Sequence, residues 1–110
     1  MVKKYDKLIR DKIPEIISND GKKAVTRVLS DKEYLAYLNK KLLEETNEYL
    51  ESFSLEELAD LQEVINAIIK AKGSSLQEFD GLREKKRSSN GGFDKKLLLL
   101  EVDDQADTEK

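Results

Sequence analysis

Five carboxylates in this chain have a spacing suited to metal ligands: Glu44, Glu45 and Glu48 in the run EETNE, then Glu57 and Asp60 in the run EELAD. Histidine and cysteine are both absent. That removes disulfides, thiolate or imidazole zinc sites, Ser-His triads and cysteine nucleophiles, and leaves carboxylates, amines, hydroxyls and a hard cation to carry any chemistry. If both runs are helical, a step of about 100° per residue places Glu45 about 60° from Leu42 and Glu57 about 40° from Leu61, each at the edge of an apolar stripe. Glu48 and Asp60, three residues further on, fall on the flank of the same face. Joined by a short turn, the two helices would bring Glu45, Glu48, Glu57 and Asp60 to one level.

Such a cluster needs compensation. Two unit charges 4 Å apart repel by about 4 kcal/mol at an effective dielectric of 20, a sizeable share of a small domain's stability. A divalent ion removes that cost. An oxygen-only ligand set points to magnesium, with manganese as its substitute. Magnesium keeps waters and accepts phosphate oxygens, so the expected ligand is a phosphorylated small molecule.

The elements that must position these groups carry clear signals. Ser30/Glu33, Ser54/Glu57 and Ser75/Glu78 each repeat the capping pattern of a serine followed three residues later by glutamate. They predict helices over 31–52, 55–72 and 76–87. Leu35, Leu38, Leu42 and Tyr49 form one face of the first, and Leu58, Leu61, Val64, Ile65 and Ile68 one face of the second. Leu76, Phe79 and Leu82 are expected to face inward from the third. Only Ser52 and Phe53 separate the first two, which predicts an antiparallel hairpin. Pro14 is placed to start a short helix reaching Ile17. Asn19-Asp20-Gly21 reads as a turn, residues 24–29 as a short extended piece, and residues 88–92 as a flexible joint. Residues 96–102 read as a strand or an apolar strip laid over the helices. The domain is expected to span 1–102, with 103–110 an acidic, disordered tail. The fold class is therefore all-α: a helical hairpin plus a short third helix, with small extended N- and C-terminal segments. Such a hairpin leaves apolar surface uncovered, so a homodimer or homotetramer completing a four-helix bundle is expected.

Composition narrows the class. The 110 residues include 39% charged and 38% hydrophobic, which suits one small helical domain. Charge is uneven: residues 1–32 hold nine Lys/Arg against five Asp/Glu, and residues 33–60 two against eight. A net charge of -3 argues against binding nucleic acid through a broad basic face. No stretch approaches the roughly 20 apolar residues of a membrane span, and the N-terminus lacks a signal-peptide core, so a cytoplasmic protein without membrane attachment is expected.

With these residues set out, a resemblance becomes visible. Glu44-Glu45-x-x-Glu48 followed by Glu57-x-x-Asp60 resembles the metal motif of the all-α nucleoside triphosphate pyrophosphohydrolases, the superfamily of MazG, the dimeric dUTPases and phosphoribosyl-ATP pyrophosphohydrolase (HisE). YDKLIRDKIPEII at 5–17, VTRVLSDKEYLAYLNKKLLEE at 25–45 and GGF at 91–93 are similar to its phosphoribosyl-ATP pyrophosphohydrolase-like subgroup. The resemblance implies that Glu45, Glu48, Glu57 and Asp60 bind magnesium, with Glu44 beside them or orienting water. It also implies cleavage of a nucleoside triphosphate to the monophosphate and pyrophosphate, in the service of clearing unwanted nucleotides. Phosphate would then need cationic partners, for which the candidates are Arg10, Lys12, Lys41, Lys86 and Arg87.

Two other readings use the same residues. Glu-rich helices are common, and like charges on a solvated helix face cost only about 0.2–0.5 kcal/mol per pair. The acidic face would then serve a non-catalytic binding or regulatory module. Alternatively, the site hydrolyses a phosphorylated metabolite other than a nucleoside triphosphate. Lys41 has an equally simple role as the i,i+4 partner of Glu45.

Overall fold

The computed structural model describes residues 1–104. Among them are four helices and no strand: α1 (Ile13–Asn19), α2 (Asp31–Ser52), α3 (Leu55–Ala71) and α4 (Leu76–Asn90). The fold is all-α. No helix of the described residues is long and apolar enough to cross a membrane. The chain divides into two compact units, Met1–Phe79 and Asp80–Lys110, with α4 beginning in the first and ending in the second.

In the first unit, α2 and α3 pack against each other as a hairpin. Ser30 starts α2 with a complete capping box: its hydroxyl accepts from the Glu33 amide at 3.2 Å, and Glu33 accepts from the Ser30 amide at 3.1 Å. Arg27 then donates two hydrogen bonds to the Glu33 carboxylate, at 2.8 and 3.2 Å. Phe53 ends α2 in the left-handed region at φ 56°, which reverses the chain at once, and Ser54 caps α3 by accepting from the Glu57 amide. The interface buries Leu38, Val64 and Ile69, with Leu35, Leu42, Leu61, Ile65 and Ile68 half-buried around them. Ile69 is a core residue outside the stripe read from the sequence, whereas Leu58 lies at its exposed edge. The apolar sector of α3 is turned further around its axis than the spacing of the leucines suggests.

Helix α1 is longer than expected at both ends, starting at Ile13 with Pro14 in its first turn. Residues 24–29 form no strand, and Val25 and Val28 are exposed.

The second unit departs more from the sequence reading. α4 continues through Ser88, Ser89 and Asn90 and stops only at Gly91, whose φ of 86° suits a residue without a side chain. The expected joint at 88–92 therefore begins as helix. The Gly91 amide donates to the Arg87 carbonyl at 2.7 Å, extending the helical ladder to that point. Leu76, Phe79 and Leu82 are exposed rather than inward-facing. Residues 96–102 are neither a strand nor a covered strip, because Leu97, Leu98, Leu99, Leu100 and Val102 are all exposed. Of the anticipated acidic tail, Asp103 and Asp104 are exposed, and 105–110 lie outside the described residues.

Candidate metal centre

The acidic cluster is assembled by the hairpin, close to its turn. Glu44, Glu45 and Glu48 come from the second half of α2, and Glu57 and Asp60 from the first turns of α3. Glu45, Glu57 and Asp60 each offer one carboxylate oxygen, and these three oxygens lie within 4.8 Å of one another. Glu45 is only 7% exposed. Its Oε2 is buried without a hydrogen-bond partner, and so is Oε2 of Glu57. An unpaired carboxylate oxygen withdrawn from water is costly, so two of them on members of one cluster call for positive charge.

Local structure explains why Glu57 is available. In the Ser54 cap only the Glu57 amide takes part, and no reciprocal bond from the Glu57 side chain closes the box as it does at Glu33. The side chain is directed to the cluster instead. Burial pushes the Glu57 carboxyl above its ordinary value of 4.5, and the carboxylates of Glu48 and Asp60 push it further. Burial likewise raises Glu45, with Glu48 next in effect; Lys41 opposes the rise and Asp60 adds to it. Glu48 is thus a close electrostatic neighbour of both. Of the expected ligand set, Glu45, Glu57 and Asp60 converge, and Glu48 bears on two of them through its charge.

Cations border it. Arg10 Nη2 donates to Asp60 Oδ1 at 2.8 Å. Lys41 Nζ lies 3.1 Å from Glu44 Oε2 and 3.6 Å from Glu45 Oε1, and Lys7 Nζ lies 3.6 Å from the other oxygen of Glu44. At Glu44 burial works upward, but Lys41 and Lys7 outweigh it and hold the carboxyl below 4.5. Glu44 is therefore the ionised, paired neighbour of Glu45 rather than a fourth oxygen of the tight group. The N-terminal segment that brings Lys7 and Arg10 here is also tied to α2 by Tyr37, whose hydroxyl donates to Asp6 at 2.6 Å.

Among the other expected phosphate ligands, Lys12 is exposed at the N-cap of α1 and makes no ion pair or side-chain hydrogen bond among the described residues. Lys86 and Arg87 belong to the second unit, where Arg87 lies 3.7 Å from Asp94. Lys7 and the Asp6–Tyr37 contact were missed from the sequence. The one available signal was that Lys7 precedes Arg10 by three residues, but without a predicted helix there that spacing has no direction.

The oxygen-only donors, the two orphaned buried oxygens and the spread of the three facing atoms fit a hard divalent cation. Comparison with known proteins adds a partial likeness. A stretch of 41 residues, 37% of this chain, is 54% identical to an uncharacterized protein of Mycolicibacterium smegmatis (strain ATCC 700084 / mc(2)155) and spans 42% of that protein's length. No family model and no solved structure matches the chain.

Proposed function

We propose that this protein is a magnesium-dependent nucleoside triphosphate pyrophosphohydrolase, similar in its motifs to the MazG and HisE group and acting as a homo-oligomer. The observation that carries the reading is that two members of one acidic cluster, Glu45 and Glu57, each bury an oxygen, Oε2, without a hydrogen-bond partner. A solvated glutamate face has no reason to withdraw them from water. Glu45, Glu48, Glu57 and Asp60 would hold the ion, with manganese able to replace magnesium. When bound, the ion neutralises phosphate charge and makes a water more acidic.

The chain's own residues do the rest. Glu44, kept ionised by Lys41 and Lys7, accepts a hydrogen bond from the attacking water and aims it at a phosphorus of the α–β linkage. Arg10 and Lys41 border the acidic group and would meet phosphate oxygens there, and Arg10 has donors to spare beyond the one spent on Asp60. One water is consumed, the α–β anhydride is broken, and nucleoside monophosphate and pyrophosphate leave.

The test is pyrophosphate release from a panel of nucleotides with and without magnesium, alongside Glu45→Gln. Magnesium-dependent release that the substitution abolishes supports the reading. Absence of release from every nucleotide, with both proteins alike, removes it in favour of a binding module. Diphosphate and phosphate as products would put the cleavage at the β–γ linkage and remove the pyrophosphohydrolase reading while leaving a nucleotide hydrolase.

A further inference from the structure

We propose that residues 97–102 are a pairing arm that lies antiparallel against the same stretch of a second copy of this chain, about a two-fold axis at Leu99. The inference is independent of the metal centre and rests on the homo-oligomer proposed above, to which it adds a contact surface. Leu97, Leu98, Leu99, Leu100 and Val102 are between 75% and 84% exposed, five aliphatic side chains in a run of six residues. Among the described residues, 97–102 belong to no helix or strand and make no backbone hydrogen bond. Unpaired backbone flanked by apolar side chains is a template to which another strand adds.

Charge identifies that strand. The arm follows Lys95 and Lys96, which stand in a turn closed by the Lys96 amide donating to the Phe93 carbonyl at 3.1 Å, and it ends among Glu101, Asp103 and Asp104. Two copies laid parallel would set like charges side by side, whereas two laid antiparallel set the basic end of each beside the acidic end of the other. With Leu99 on the axis, Leu98 stands opposite Leu100, and Lys95 and Lys96 reach the level of residues 102–104 of the other copy. Leu98, Leu100 and Val102 of both copies then share one apolar face, and Glu101 lies on the other face, toward water. Asp94, which comes level with Asp104, already has Arg87 at 3.7 Å to offset its charge. Two short strands alone are marginal in water, so the arm contact adds to an assembly and does not replace one.

The chain has no cysteine, so a single introduced thiol reports on the contact. Leu99→Cys and Val102→Cys, both at exposed positions, are made in the full chain, equilibrated in a glutathione redox buffer and compared for disulfide-linked dimer on a non-reducing gel, with helicity followed by circular dichroism. Thiols introduced at position 99 face each other across the axis, within the roughly 7 Å between Cα atoms that a disulfide spans. Those at position 102 are offset by six residues, about 20 Å along the strands. Leu99→Cys is therefore expected to give about tenfold more linked dimer than Val102→Cys. Equal or greater linking by Val102→Cys overturns the proposal, since a parallel or unregistered contact does not single out the centre. No linking by either variant, while the native chain is a dimer or tetramer in light scattering, also overturns it and leaves the homo-oligomer and the pyrophosphohydrolase reading standing. No linking together with a monomer in light scattering removes the arm contact and the assembly at once.

Discussion

At the scale of single residues, Glu45 sets the character of the molecule. A carboxylate only 7% exposed, with one oxygen partnered by Lys41 at 3.6 Å and the other by nothing, is a poor choice for stability alone. Glu45→Gln keeps the shape and removes the charge. Without divalent ions it is therefore expected to stabilise the protein, by about 1 kcal/mol, seen as a higher Tm. The same substitution should abolish the rise in Tm that magnesium produces in the native chain. The pH dependence follows from the same cause. Because Glu45 and Glu57 hold their protons more tightly when folded than the ordinary 4.5, protonation favours the fold. Their contribution is complete below 4.5 and is lost as the pH rises through their raised values. Melts of metal-free protein should accordingly show Tm increasing as the pH falls from neutrality toward 4.5, and saturating magnesium should flatten that slope. A Tm that falls steadily over this range in the metal-free protein would contradict the placement of these two groups.

At the scale of elements, the hairpin was legible in the sequence because each of its determinants is local. The serine caps, the three-four spacing of leucines and the short link suffice to define α2 and α3, and the same spacing brings Glu45, Glu57 and Asp60 together. The detail that decides the site was not legible: Ser30 and Ser54 begin the same motif, yet only Glu33 closes its box, while Glu57 turns its side chain away. That choice depends on the facing helix, which the local pattern does not contain. The N-terminal segment was read for its motif and for Arg10 and Lys12 as cationic candidates, but not for its tie to α2, because an exposed strap held by ion pairs has no periodicity. Likewise the end of α4 was misplaced, since Ser88, Ser89 and Asn90 suit a turn or a last helical turn equally and Gly91 decides between them. The complete box at α2 carries its own prediction. Ser30→Ala is expected to cost about 1 kcal/mol, measured by chemical denaturation. Arg27, and then the Ser30 amide, hold the Glu33 carboxyl down at about 2, so its contribution is present above 4.5 and fades as the pH falls toward 2. Arg27→Gln should shift acid unfolding to higher pH, and an unchanged acid transition would show that this pairing contributes nothing.

At the scale of the whole molecule, the uncovered apolar positions of the first unit follow a pattern. Leu43 and Leu50 stand seven residues apart on the outer side of α2, and Phe53 and Leu55 continue the strip through the turn, all four more than half exposed. A stripe at heptad spacing is suited to another helix, and a second copy of the hairpin supplies one while completing a four-helix bundle. Light scattering coupled to gel filtration is therefore expected to give a dimer or tetramer at micromolar concentration. Leu43→Glu combined with Leu50→Glu should reduce it to monomer or leave it largely unfolded, because each introduced charge would have to be buried without a partner. A native chain that runs as a stable, cooperatively folded monomer would show that the stripe is solvated and that the hairpin needs no partner. The acidic cluster would then have to be completed, if at all, by residues of a single chain.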